Sequence, residues 1–361
     1  MLLRLDLNVP IIDGVLRDDF RIKKSMATLN LLHENGAKTI IISHIESVET
    51  KSLKAVCEYL SNFFNISLLK DYFSKETKNA IDRMNEGDFM LLENLRIYEG
   101  EEKNSEHFAK QLASLGEIYV NEAFSVSHRE HASIVGVPKF LPSYAGILFE
   151  EEVVNLSKAF NPEHPFLFIL GGAKFETKMP LIEKFLKLAD FVFVGGALAN
   201  DFFKEKGHET GLSVLSPKKF DLKKLLASDK LLLPLDVVVK NNQGVFIKTP
   251  NQVLTEDKIL DDGPATISML EKKLSLSKFV LWNGPLGDYE KGFKEGTIEL
   301  ARAIAKSATK SIIGGGDTLA VVSKLNLGNK FSLISTGGGA MLDFLANETL
   351  PGIEAIEGSS S

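Results

Sequence analysis

Strand-sized apolar runs, each closing on a polar or glycine-rich turn and followed by a helical pattern, recur along nearly the whole chain. Runs such as Phe166–Leu170 and Phe191–Val194 are apolar on both faces, which suits a parallel sheet covered by helices on each side. In the first half, strands are expected at Leu2–Leu7, Thr39–Ile42, Phe89–Leu92 and Ile118–Asn121. Helices are expected near Ile22–Glu34, Ser52–Phe64, Lys75–Asn85 and Ser105–Ser114. The second half repeats the scheme, with expected strands at Phe166–Leu170, Phe191–Val194, Leu231–Leu233, Phe279–Trp282, Ser311–Ile313 and Ser332–Ile334. This alternation calls for an α/β fold with parallel sheets. A chain of 361 residues is too long for one ordinary core, so two domains are expected. Leu148, Phe149, Val153, Leu156 and Phe160 recur at helical spacing before Asn161-Pro162. Residues 148–160 therefore read as a helix connecting a domain 1–150 to a domain 151–339.

The two halves differ in their special residues. Six of the seven arginines fall in residues 1–129, while 21 of the 28 glycines follow residue 150. Lysine outnumbers arginine 35 to 7, so an arginine here reads as placed for its planar fork, which suits carboxylate and phosphate. The glycine clusters Gly171-Gly172, Gly195-Gly196, Gly314–Gly316 and Gly337–Gly339 follow apolar runs, where backbone N–H groups could meet phosphate or a nucleotide ring. A net charge of −6 argues against nucleic acid or an anionic membrane as the main partner. The apolar runs are far too short to span a bilayer, and Met1 runs directly into a strand pattern, so no leader is expected. The single cysteine, Cys57, cannot form an internal disulfide and reads as a core thiol in a reducing, cytoplasmic protein.

Several segments carry chemistry. Arg4, Asp6 and Asn8 lie at spacing two, hence on one face of a strand, and need partners from an internal network or a ligand. Asp18–Ile22 opens a helix and includes Arg21. Ser43-His44, Asn94–Arg96 and His128-Arg129 each follow a strand pattern, and sheet topology would gather such loops at one rim. His128 and His131 have helical i, i+3 spacing, but no third metal ligand accompanies them. In the second half, Gly171–Lys178 joins a strand to a helix with Lys174 and Lys178 one turn apart, a setting suited to a migrating phosphoryl group. Ile313–Thr318 makes another strand-to-helix turn, where N–H groups could cradle phosphates while Asp317 holds Mg²⁺. Gly171–Lys178 is not a Walker loop, and the first β-α turn lacks a G-x-G-x-x-G fingerprint, which weakens a dinucleotide-dehydrogenase reading.

Taken together, these segments resemble the phosphoglycerate kinase family, in order, from Leu3 to about Ile353. The most specific pieces are Arg4–Pro10, Leu91–Asn104, Asn121–Ser133, Leu170–Lys178, Trp282–Glu290, Gly314–Thr318 and Ser335–Gly339. The resemblance implies two Rossmann-like domains with a cleft between them that closes by hinge bending, in a cytoplasmic monomer. The first domain, joined by the returning segment 340–361, would hold 3-phosphoglycerate or 1,3-bisphosphoglycerate, and the second would hold ADP or ATP with Mg²⁺. It implies that Asp6 and Asn8 bind the glycerate, and that Arg21, His44, Arg96 and Arg129 form its basic patch. Arg21, Lys174 and Lys178 would be catalytic, with Lys178 following the phosphoryl group. Gly315, Gly316 and Thr318 would cradle phosphates, Asp317 would ligate Mg²⁺, Asn283 and Glu290 would line the nucleotide wall, and Gly195, Gly196 and Gly263 would face adenine.

One loop departs from the family. Where His-x-Gly-Arg-Pro is usual, this chain has His44-Ile45-Glu46-Ser47-Val48, so Ser47 replaces an expected arginine and Glu46 adds an anion. Loss of one charged contact to a polyanion costs about 1.5–3 kcal/mol, roughly 10- to 100-fold in affinity. The segment therefore leaves two readings, an active phosphotransferase and a nucleotide-binding regulatory homologue with weakened substrate binding. Ser125 and Thr177 also stand where other residues are common in the family.

Overall fold

The computed structural model describes residues 1–46 and 50–359. Within it the chain forms two compact units: Met1–Val154 together with the chain from Asn347 onward, and Asn155–Ala346.

The first unit is built on six parallel strands. In spatial order they are Ile66–Leu69, Phe89–Leu92, Thr39–Ile42, Leu2–Arg4, Tyr119–Asn121 and Ser143–Ala145. Period-two alternation sends neighbours to opposite faces. Leu3, Ile41 and Leu91 join one buried cluster with Ile22 and Leu29, whereas Leu2, Ile40, Ile42 and Leu92 join another with Phe108 and Leu112. The first strand stops at Arg4, three residues short of the expected Leu7, yet Leu5, Leu7 and Val9 remain buried in the first cluster. The alternation thus outlasts the ladder. Glu122 clamps the helix Ile147–Ser157 to this unit by accepting from the N–H groups of Leu148 at 3.0 Å and Phe149 at 3.3 Å. A carboxylate at a helix start satisfies donors that the helix itself leaves open. The helix Pro351–Gly358 packs on Ala132–Gly136, and its Gly352 N–H donates to Ser127 O at 2.9 Å.

The second unit carries its own six-stranded parallel sheet, with the spatial order Leu231–Leu232, Phe191–Val194, Phe166–Leu170, Phe279–Asn283, Lys310–Gly314 and Leu333–Ile334. Numbered along the chain this order is 3-2-1-4-5-6, so strand order reverses between Phe166–Leu170 and Phe279–Asn283. Every side chain of Phe166–Leu170 is fully buried, as expected for a strand covered on both faces, and Phe168 stacks on Phe185 with ring centroids 4.1 Å apart. The two expected parallel sheets are present, and two small antiparallel sheets stand beside them, one of them the hairpin Ile11–Ile12 with Val15–Leu16 in the first unit. Val237–Asn241, Gly244–Lys248 and Lys258–Asp262 form a separate antiparallel sheet, whose first two strands are joined by a turn of two residues, Asn242-Gln243.

Candidate functional site

In open α/β sheets the crevice beyond the carboxyl ends of strands, where strand order reverses, is the place that admits ligands. In the second unit that position opens into a cavity of about 790 Å³. Three turns shape it: Gly171-Gly172 after the strand Phe166–Leu170, Asn283–Pro285 after Phe279–Asn283, and Gly315-Gly316 after Lys310–Gly314. The first two are stitched together, because Gly171 N–H donates to Asn283 O at 2.9 Å and Gly172 N–H to Pro285 O at 2.8 Å. A Cβ at position 171 would overlap the Pro285 carbonyl oxygen, so glycine is required there by close backbone approach. This corrects one expectation, since those two N–H groups are already committed and cannot serve as phosphate donors.

The third turn differs. Gly315 has φ +100 and precedes the helix Gly316–Lys324, and a Cβ at Gly316 would meet nothing within 4 Å. The first-turn N–H groups of a helix have no partner within it, so this helix start leaves donors open. Thr318 lies in that turn, fully buried, with its Oγ1 unpartnered. Asp317 is exposed beside it.

Lys174 directly precedes the helix Phe175–Leu188 and is exposed, whereas Lys178 is buried with its Nζ donating to Gly171 O. Burial, then the neighbouring Lys174 charge, lowers the Lys178 pKa to about 8, against the opposing pull of Asp317. Of the expected catalytic and nucleotide residues, Lys174, Lys178, Gly196, Asn283, Glu290, Gly315, Gly316 and Asp317 line the cavity. Gly195 and Gly263 instead face buried carboxyls: a Cβ at Gly195 would overlap Asp262, and one at Gly263 would overlap Asp236.

Sequence reading missed those carboxyls. Asp261 and Asp262 line the cavity, and Asp262 is buried with Oδ2 unpartnered. Burial raises the Asp261 pKa to about 6, and burial with the Asp261 charge raises that of Asp262 well above the usual range. The available signal was an acidic pair, Asp261-Asp262, ending an apolar strand just before Gly263-Pro264.

In the first unit, four loops leave the carboxyl ends of adjacent strands and carry most of the expected substrate residues. Arg21 pairs with Asp6, which also accepts from Ser125 Oγ and from Asn8 N–H at 3.0 Å. Burial alone would raise the Asp6 pKa, but Arg21 leads the opposing interactions, which leave it below its ordinary value. His44 is buried, with Nδ1 3.2 Å from Arg4 Nη2. Burial, then Arg4, hold its pKa well below the usual imidazole value, so His44 is neutral near pH 7 and offers a hydrogen bond rather than a charge. Arg96 pairs with Glu46 and, at 3.4 Å, with Glu102. Arg129 is exposed, and its charge acts on Arg96 and His131. Arg4 turns inward: it donates to Ser133 Oγ at 2.9 Å, and Ser133 Oγ donates to the buried Glu101 at 2.6 Å. For Arg4 the internal-network reading holds. Ser47 lies outside the described residues.

The phosphoglycerate kinase family model matches residues 1–348. The chain is 41% identical over 380 residues to phosphoglycerate kinase of Enterococcus faecalis, covering 99% of this chain and 96% of that protein. It is 40% identical over 377 residues to that of Borrelia garinii subsp. bavariensis, covering 99% and 95%. The solved structure of phosphoglycerate kinase from Coxiella burnetii superposes with a TM-score of 0.85 at 34% identity, covering 100% of this chain and 96% of that one. None of these likenesses supports the regulatory reading. With this site geometry and full-length similarity, the chain belongs to the phosphoglycerate kinase family.

Proposed function

We propose that the unit Asn155–Ala346 binds ADP or ATP and that the first unit binds 3-phosphoglycerate or 1,3-bisphosphoglycerate. The reaction is the reversible transfer of a phosphoryl group between 1,3-bisphosphoglycerate and ADP, a phosphotransfer with a carboxyl acceptor. Such a carboxylate is nucleophile or leaving group without help from a general base. Catalysis then reduces to aligning two polyanions and offsetting charge on the moving group.

The observation that carries the nucleotide assignment is the switch-point cavity, where the buried Lys178 ammonium lies near the open helix start Gly316–Lys324. In this reading Gly315, Gly316 and Thr318 hold phosphate, with the unpartnered Thr318 hydroxyl gaining a bond. Lys174 and Lys178 neutralise the phosphoryl group, and Arg21 steadies it. Asn283 and Glu290 contact the nucleotide, and Gly196 presents backbone to adenine, whereas Gly195 and Gly263 support that wall from behind by packing on Asp262 and Asp236. Asp6, Asn8 and neutral His44 orient the glycerate, while Arg96 and Arg129 take its phosphate and carboxylate.

Mg²⁺ fits Asp317, because one exposed carboxylate at a helix start, completed by phosphate oxygens and water, suffices for that ion. Among the described residues no cluster of three or more acidic, His or Cys side chains could hold a metal by itself, so the nucleotide would supply the remaining ligands. When bound, the ion offsets charge on the phosphate oxygens. The reading includes a cytoplasmic monomer acting on small molecules, without a nucleic-acid or membrane partner. In support, net charge is −6 and no described helix is long and apolar enough to cross a membrane.

A coupled assay with ATP and 3-phosphoglycerate tests the activity. Turnover is expected, and Lys178→Met is expected to lower kcat by about 100-fold or more. Absence of wild-type turnover at millimolar substrate, with ADP binding intact, would overturn it.

A further inference from the structure

The side chain of Glu46 sits where an acidic substrate is expected. Ile45 N–H donates to Asn94 Oδ1 at 3.1 Å, and Ile45 O accepts from Asn94 Nδ2 at 3.0 Å, which pins the backbone just before it. The N–H of Glu46 itself donates to Asn8 Oδ1 at 2.9 Å. From that anchored position its carboxylate pairs with the Arg96 guanidinium. Arg96 is 9% exposed at its side chain and Glu46 54%, so the carboxylate caps the guanidinium from the solvent side. Glu102 meets the same guanidinium at Nε, 3.4 Å away.

We propose that Glu46 is a built-in competitor for the acidic substrate at Arg96. The inference rests on the assignment of Arg96 to that substrate. Binding then exchanges one carboxylate–guanidinium pair for another instead of filling an empty site. Two features favour exchange over a permanent pair. Glu46 is half in water already, and half-exposed pairs are weak. Glu102 offers a second carboxylate at Nε, 3.4 Å away, so the guanidinium is not left without a counter-charge when Glu46 leaves. An anion carrying both phosphate and carboxylate outbids one glutamate, whereas a small single anion gains little from the exchange. Glu46 therefore makes this position selective for the polyanion and raises the concentration at which it fills.

Calorimetric titration of the full chain with 3-phosphoglycerate tests this, using wild type, Glu46→Gln, Arg96→Gln and the double variant. Glu46→Gln is expected to tighten binding about 2- to 5-fold, and inorganic phosphate is expected to gain at least as much. In the Arg96→Gln background the Glu46 substitution is expected to have no effect. An unchanged or weaker affinity in Glu46→Gln, with Arg96→Gln impaired, would overturn the competitor while leaving the Arg96 assignment standing. A gain that persists without Arg96 would also overturn it, by showing a general charge effect. An unimpaired Arg96→Gln would overturn the assignment itself. Thermal denaturation checks folding of each variant, and Arg96→Met, which also removes the charge, replaces Arg96→Gln if the latter unfolds.

Discussion

Burying an ammonium group costs solvation, and Lys178 shows that cost as a pKa lowered to about 8. A nucleotide phosphate arriving beside it would restore the charged form. ADP binding near pH 8 is therefore expected to take up a fraction of a proton, read by titration calorimetry in buffers of different ionisation enthalpy. Lys178→Met should abolish that uptake. Asp262 presents the opposite case, an acid whose folded pKa lies above its unfolded value. Its neutral form is favoured by folding, so stability is lost as pH rises from the unfolded pKa through the folded one. Asp262→Asn, which keeps an acceptor for the Gly196 N–H, is expected to stabilise the protein by about 1–2 kcal/mol at pH 8, roughly 3–6 °C. The gain should shrink at pH 5. The spacing of Lys174 and Lys178 was legible in the sequence because one helical turn is a local property. The burial of Lys178 and the carboxyl contacts of Gly195 and Gly263 were not, because they depend on strands distant along the chain.

At the scale of elements, glycines that look alike in sequence do different jobs. Gly171→Ala would force a Cβ into the Pro285 carbonyl and is expected to cost about 3 kcal/mol or more in a denaturant titration. Gly316→Ala meets open space and is expected to leave stability within about 1 kcal/mol while weakening ADP binding, since the methyl would fill the phosphate cradle. Strands with a solid apolar run were read to the residue, as at Thr39–Ile42, Phe89–Leu92, Phe166–Leu170 and Phe191–Val194. Ile66–Leu69 escaped notice because it is only half-buried and interrupted by Ser67, and Ser143–Ala145 because three residues carry no periodicity. The antiparallel strands Val237–Asn241 and Gly244–Lys248 were missed for another reason. The two-residue turn between them was readable, but the surrounding βα rhythm argued for crossovers.

On the scale of the whole molecule, two sheets with separate cores predict two ligand-specific responses. In differential scanning calorimetry, ADP at 100 times its Kd should stabilise Asn155–Ala346 by about 2.7 kcal/mol, and 3-phosphoglycerate should act on the transition of the other unit. If both ligands move one common transition, the units unfold together. The helix Pro351–Gly358 has a consequence for biosynthesis. It belongs to the unit that the ribosome starts first, yet all of Asn155–Ala346 is made before it appears. At about 5–20 residues per second, the first unit waits roughly 10–40 s for its closing piece. During that interval the surface around Ser127 and Ile134, which Gly352 later covers, is bare on the nascent chain. The earliest-made unit is thus the last to be finished, and the second can reach its native core ahead of it.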